Sequence, residues 1–243
     1  MPAELQDNAN PDEVLRLQRV YQGYADEGCS QSRWDETNPG NQAILRERDL
    51  AVRETLRDAG LLPLGARRIL DVGCGSGRVL AGCLELGAVP ENLHGIDLLS
   101  ERIRNAQEKH PRMKFSVANA ERIDFPDGTF DLVLLYTVFT SILDDRMARN
   151  VAGGVARVLK PGGSAVWYDF RFNNPRNPNV RGLSLSAVKG LFPGFEPRLR
   201  TVTLLPPLAR RLGRLTSALY SLLAAVPLLR THYVGLLTKP ASS

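Results

Sequence analysis

Three glycines at alternate positions, Gly73, Gly75 and Gly77, stand in "ILDVGCGSGRVL" at 69–80, directly after Asp71. Glycine lets the chain turn with positive φ and lets a ligand approach the main chain without meeting a side chain. The spacing therefore reads as a loop that holds a cofactor between the end of a strand and the start of a helix. A dinucleotide fingerprint wants its last glycine at 78, where this chain has Arg78, a side chain too bulky for the close helix–strand packing that glycine serves. Asp97, in "HGIDL", falls 20 residues after Gly77, placed to hydrogen-bond a ribose hydroxyl pair. The implied ligand carries an adenosine-like ribose and no pyrophosphate at the loop.

Positioning such a loop requires alternating strands and helices. From residue 69 onward, apolar runs of strand length ("RRILDVG", "NLHGIDL", "MKFSVAN", "FDLVLLYT", "GSAVWYDF", "RLRTVTLL" and "HYVGLLTK") alternate with helical stretches at about 77–87, 100–109 and 144–159. That alternation predicts an α/β fold with a largely parallel sheet of seven strands and helices on both faces. Residues 11–28 and 40–59 read as two amphipathic helices, so 1–60 is expected to form an N-terminal helical cap on a domain spanning 61–243. Between the last two strands, Leu208, Leu212, Leu215, Leu219, Leu222, Leu223 and Val226 recur at helical spacing opposite Arg210, Arg211, Arg214, Ser217 and Ser221. This predicts one amphipathic helix within 206–230, a lid or cover over the sheet.

Composition narrows the function classes. With 243 residues, 43% hydrophobic and 23% charged, the chain has an ordinary globular makeup. Its longest apolar runs fall well short of the roughly 20 residues that span a bilayer. No secretory signal is visible in "MPAELQDNANPDE", and the three cysteines lack metal or disulfide spacing; both point to a cytoplasmic protein without a metal. From Phe170 onward eleven Lys and Arg stand against one acid, Glu196, a net +10 that leaves −5 for residues 1–169. A basic stretch can be merely a solvated face, or it can meet something anionic.

Four further stretches, in order, carry a resemblance. "LDVGCGSG", "GIDLLSERIRNA", "ANAERIDFPDGTFDLVLLYTVF" and "RVLKPGGSAVWYDF" resemble the successive motifs of class I S-adenosylmethionine-dependent methyltransferases, over residues 66–170 in detail, with the nearest likeness to those of bacterial surface-glycan and natural-product pathways. The resemblance implies a Rossmann-like fold with S-adenosylmethionine as cofactor. It implies that Asp71 and the Gly73–Cys74–Gly75 backbone meet the methionine part, with Gly77 completing the loop, that Asp97 and its neighbour Leu98 hold the ribose, that Asn119, Ala120 and Glu121 line the adenine, and that Tyr136 closes the far side. The family usually has Asp at the position of Asn119, whose amide oxygen can still accept a bond from an amine.

Ligands of open α/β sheets bind beyond the carboxyl ends of the strands, so an acceptor is expected at the ends of the fourth and fifth strands and at the start of the last. Methyl transfer gains most from holding the nucleophile aligned, and an oxygen nucleophile also benefits from a base. Relatives acting on sugars and natural products often carry His where this chain has Ser141, which leaves Asp169, His232 and Tyr168 as the catalytic candidates. Thr140, Arg171, Asn173, Asn174, Arg181 and Tyr233 are the substrate-binding candidates. The run "FRFNNPRNPNVRG" offers amides suited to hydroxyl-rich ligands and arginines suited to phosphate. The reading is O-methylation of a sugar or glycan intermediate, with a phosphate-bearing small molecule as partner. A small aromatic or polyketide acceptor and a non-catalytic cofactor-binding subunit are the alternatives. No nucleic-acid motif is present, and peripheral membrane contact is left open.

Overall fold

The structure, a computed structural model, describes residues 10–26, 35 and 37–241. Helices α1 (Pro11–Asp26) and α2 (Pro39–Asp58) precede the sheet. Its strands are β1 (Ile69–Val72), β2 (Leu93–Asp97), β3 (Lys114–Val117), β4 (Phe130–Tyr136), β5 (Leu159–Phe170), β6 (Glu196–Leu204) and β7 (Arg230–Thr238). The helices between them are α3 (Arg78–Gly82), α4 (Ser100–Lys109), α5 (Asp145–Val158), α6 (Leu185–Leu191), α7 (Pro206–Arg211) and α8 (Thr216–Ala224). The strand order is β3-β2-β1-β4-β5-β7-β6; β1 to β5 pair in parallel, and β7 runs antiparallel between β5 and β6. The Rossmann-like sheet expected from the sequence is present.

Apolar side chains bury both faces of the sheet. On one face α1, α5 and α6 cover β4 and β5 through Leu17, Met147, Val151, Val155 and Val188. The stripe on α5 follows the i, i+4 repeat of a half-buried helix, and the Asp144 carboxylate caps its start by accepting the Met147 N–H at 2.7 Å, a contact that stabilises by about 1 kcal/mol. On the other face α2, α3 and α4 contribute Val52, Leu56, Leu80 and Ile103. A third cluster joins α2, α7 and α8 through Ile44, Ala209 and Tyr220.

Several sequence expectations shift. The helix at 77–87 is α-helical only to Gly82 and continues as a 3₁₀ turn over Cys83–Leu86. The segment "LKPGG" after the helix expected at 144–159 already belongs to the strand: β5 starts at Leu159, and its register slips between Phe130↔Leu159 and Leu132↔Ser164, so the glycines form a bulge inside it. Helix α6, just beyond the run "FRFNNPRNPNVRG", is not among the expected elements. The single helix expected within 206–230 is broken at Gly213, φ +51, into α7, a 3₁₀ turn and α8. Its buried face is consequently Ala209, Thr216, Tyr220 and Ala224, while Leu215, Leu222 and Val226, expected to be buried, are exposed. Of the cap, residues 1–9, 27–34 and 36 lie outside the described residues.

Candidate active site

The glycine loop runs from the end of β1 into α3. Gly73, Gly75 and Gly77 have φ of 72°, 54° and 80°, backbone that side chains rarely adopt. Their environments differ. A β-carbon at Gly77 would meet Phe115 Cζ at 2.8 Å, whereas one at Gly75 would meet nothing within 4 Å. Gly77 thus performs the close helix–sheet packing that the dinucleotide pattern assigns to position 78, and Gly75 borders open space. Asp97, at the end of β2, holds the loop in shape: Oδ2 accepts the Gly75 N–H and Oδ1 the Leu99 N–H, both at 2.9 Å. A carboxylate offers about four acceptor positions, so Asp97 keeps capacity for a ligand hydroxyl.

Asp71 is the anomaly. It is buried, and its Oδ2 has no hydrogen-bond partner among the described residues. Burial raises its pKa well above the ordinary value, the Asp97 charge adds to the rise, and Arg48 opposes it. A buried carboxylate oxygen without a donor is costly unless a cation or donor completes it.

Further along the cleft, Asn119 Oδ1 accepts the Glu121 N–H at 3.0 Å, and Glu121 accepts from Asn150 Nδ2 at 2.9 Å and from the Asn10 backbone at 3.1 Å. The start of α1 is therefore tied to the segment 119–121. Farther along α1 the Tyr21 hydroxyl meets Ser141 Oγ at 2.6 Å, the Arg102 guanidinium lies 4.6 Å from the Tyr21 ring centre, and Glu13 accepts the Leu143 N–H at 2.6 Å. Helix α1 so bridges the adenine-side segment and the loop after β4.

The strand ends β4, β5 and β7 present two different faces, because successive side chains of a strand point to opposite sides. Tyr168 and His232 share one: their rings stack at 4.6 Å with planes 5° apart, and Phe170 flanks His232 at 3.9 Å. Tyr136 lies 5.7 Å from Tyr168, and the Arg48 guanidinium sits 5.5 Å from the Tyr136 ring centre and 5.8 Å from that of Tyr168. Burial and the neighbouring Arg48 push His232 down to about 3, and burial lifts Tyr168 to about 12, so both are neutral near pH 7. The tautomer of His232 follows from its neighbours. Thr231 Oγ1 donates to the Thr203 carbonyl at 3.2 Å, so it can only accept from His232 Nδ1 at 2.9 Å, which leaves Nε2 as the acceptor. The non-glycine residues with positive φ among the described residues, Thr137 at 55° and Thr203 at 68°, both border this cluster, as strained backbone often does at functional sites.

Asp169 faces the other way. It is 1% exposed, and its carboxylate accepts the Thr140 N–H at 3.0 Å and the Phe170 N–H at 2.9 Å. Burial raises its pKa to about 7 against those bonds.

Residues 69–163 match a family model described as a methyltransferase domain. Among curated proteins, a phthiotriol/phenolphthiotriol dimycocerosates methyltransferase of Mycobacterium tuberculosis is 35% identical over 49% of this chain and 43% of its own length. A 27-O-demethylrifamycin SV methyltransferase of Amycolatopsis mediterranei is 32% identical over 56% of this chain and 49% of its own. Among solved structures, a SAM-dependent methyltransferase from Methanosarcina mazei shares the fold with a TM-score of 0.55 at 22% identity, over 73% of this chain and 94% of that one. Residues 69–163 thus match a methyltransferase domain, and the solved neighbour shows that the chain has the fold of one. Its match spans about half the length of those curated relatives or less.

The residues present fit S-adenosylmethionine on structural grounds: the unpartnered Asp71 oxygen would suit the methionyl ammonium, the open space beside Gly75 a ligand along the main chain, and the spare acceptor capacity of Asp97 a ribose hydroxyl. Leu98 and Ala120 pack together on the face that α1 covers. Tyr136 packs on the opposite face, its ring 5.7 Å from that of Tyr168 and 5.5 Å from the Arg48 guanidinium. Cys74 is buried, and its thiol is pushed far up by that burial, so only its backbone is available as the sequence implies.

The three catalytic candidates do not converge. Tyr168 and His232 stack together, while Asp169 is on the other face with Thr140. Among the substrate candidates, Thr140 Oγ1 donates to the Arg181 carbonyl, and the Arg181 guanidinium pairs with the Asp145 carboxylate. Arg171 reaches the Pro227 carbonyl at 3.4 Å and lies over the Phe172 and Tyr233 rings. Asn173 Oδ1 accepts the Gly182 N–H and Asn174 Oδ1 the Arg176 N–H, so the amide oxygens brace their own loop. Sequence reasoning missed Arg48 and Tyr21. The signal for Arg48 was its place in the buried stripe Ile44, Val52, Leu56 of α2, where a cation has no packing reason to be.

Proposed function

We propose that this protein transfers a methyl group to a hydroxyl oxygen of a sugar or glycan intermediate seated where α2 crosses the ends of β4, β5 and β7. The observation that carries the reading is the loop from Asp71 to Gly77: a buried carboxylate oxygen without a partner, beside glycine backbone open to a ligand and a ribose-type acid at Asp97. When bound, the cofactor supplies a methyl carbon activated by a positively charged sulfur. The rest is the work of side chains. Asp71 holds the ammonium end, Asp97 the ribose, and Asn119 to Glu121 the adenine side.

The wall of Tyr136, Tyr168, Phe170 and His232 suits the apolar face of a sugar ring, and Arg48 beside it suits an attached phosphate. His232 Nε2 accepts a hydrogen bond from the acceptor hydroxyl and aims its lone pair. With a pKa near 3 His232 does not take that proton ahead of transfer and receives it at Nε2 only as the hydroxyl oxygen is methylated, so alignment supplies most of the rate. Asp169 is a positioning residue that fixes the loop carrying Thr140 against β5.

The same aromatic wall, together with asparagine oxygens already engaged by their loop, favours a second reading, a small aromatic or polyketide acceptor. A panel of sugar nucleotides, lipid-linked sugars and phenolic acceptors, assayed for a methyl mass increment with the cofactor present, separates the two. Turnover confined to phenolic acceptors contradicts the sugar reading, and turnover with none of the panel contradicts both.

A further inference from the structure

We infer that the segment from Leu205 to Leu228, with Phe172 beside it, is a docking surface for an anionic lipid bilayer. Five aliphatic side chains of this segment stand out of the protein: Leu205, Leu215 (59% exposed), Leu222 (67%), Val226 and Leu228 (85%). Leu222 lies on the solvent side of α8, with Leu215 in the turn that leads into it, while Thr216, Tyr220 and Ala224 on the other side of the helix are buried against α2 and β6. Exposed leucines in such a row mark an interaction site in an otherwise well-packed protein. Arg211, at the end of α7, and Arg214, in the turn just before α8, are exposed. Arg171 ties the row to the next loop, bonding the Pro227 carbonyl at 3.4 Å while its guanidinium lies 4.7 Å over the exposed Phe172 ring.

Charge decides the occupant. No acid follows Glu196 in the sequence, so the aliphatic groups share their segment with Arg171, Arg211 and Arg214 and with no acid. A second copy of the chain would bring the same cations face to face. A protein partner is expected to meet aromatic anchors in a pocket, and this row is aliphatic and exposed. An anionic bilayer satisfies both features, taking leucines into the acyl boundary and arginines among the headgroups. The contact adjoins the proposed acceptor site, since the turn Pro227–Leu229 runs straight into β7 and His232. A hydrophobic or lipid-linked acceptor could so pass from the membrane to the strand ends. That consequence rests on the methyl-transfer reading; vesicle binding itself does not.

The test is flotation of the full chain with vesicles of pure phosphatidylcholine and of phosphatidylcholine mixed with phosphatidylglycerol. Binding is expected to the mixed vesicles and to fall as salt is raised. Substituting Leu222→Ser with Leu228→Ser should lower the partition coefficient at least about tenfold, and Arg211→Gln with Arg214→Gln about 25-fold, some fivefold for each arginine. All four positions are solvent-facing, and cofactor binding by both variants, read by calorimetry, shows that the fold survives. Equal binding to neutral vesicles, no binding to either, or binding indifferent to the substitutions overturns the inference. So does a dimer, seen by light scattering, that the leucine substitutions dissolve.

Discussion

Tyr21 on α1 and Ser141 in the loop after β4 are 120 residues apart in sequence and 2.6 Å apart in space. Ser141 receives the phenol of helix α1. Ser141 Oγ also donates to the Thr137 carbonyl at 3.0 Å, so Tyr21 is the donor of the shared bond. The cap is thereby latched to the strand end beside the cofactor loop. Tyr21→Phe should cost about 1 kcal/mol and weaken cofactor binding several-fold, with the ring contact to Arg102 retained. Calorimetric titration checks this; unchanged affinity would show that α1 does not cover the site.

A second prediction concerns pH. Folded Asp169 keeps its proton up to about pH 7, while the unfolded chain releases it near the ordinary value of 3.8. The raised folded pKa means that the unfolded state loses the proton first. Stability therefore declines as pH rises between those two values and is flat above them. Asp169→Asn removes the titration and keeps a carbonyl oxygen for an amide donor. Urea midpoints at about pH 5 and pH 8 should differ less for the variant than for the natural protein. An unchanged difference would place the titration elsewhere.

Glycine substitutions should separate packing from ligand access. At Gly77 an alanine adds both a strained φ and a collision with Phe115 Cζ at 2.8 Å, so Gly77→Ala should destabilise by about 3 kcal/mol. At Gly75 the added methyl meets nothing within 4 Å, and only the left-handed backbone costs, about 1 kcal/mol. Gly75→Ala should nonetheless bind the cofactor at least tenfold more weakly. Denaturant titration and calorimetry on the same samples give both numbers, and full binding by Gly75→Ala would move the cofactor off the loop.

Arg48 lowers the pKa of Asp71 from across the cleft. Arg48→Met should remove that influence, so Asp71 stays protonated to higher pH and cofactor binding in the variant fades at a higher pH than in the natural protein. A pH series of dissociation constants reads the shift. Coincident profiles would mean that Arg48 acts on the acceptor alone.

Much of the fold was legible because its signals are local. Each buried parallel strand is a short apolar run, and the β1 loop announces itself by glycine spacing. Less legible were features decided by packing. Gly213 looked compatible with a continuous helix, yet its positive φ splits the 206–230 segment and turns Leu222 outward. Tyr168, Asp169 and His232 read as neighbours, but strand alternation sends Asp169 to the opposite face from the other two. Asp71 and Asp97 were readable from type and position; Tyr21 was not, because its meaning depends on where α1 docks.

The most direct test of the central claim is calorimetric titration of the protein with S-adenosylmethionine and its demethylated product, alongside Asp71→Asn and Asp97→Ala. The account predicts micromolar binding of both ligands by the natural protein, weakened at least tenfold by Asp71→Asn and abolished by Asp97→Ala, in samples whose thermal unfolding shows them folded. Absence of binding by the folded natural protein, or full affinity in both variants, would contradict it.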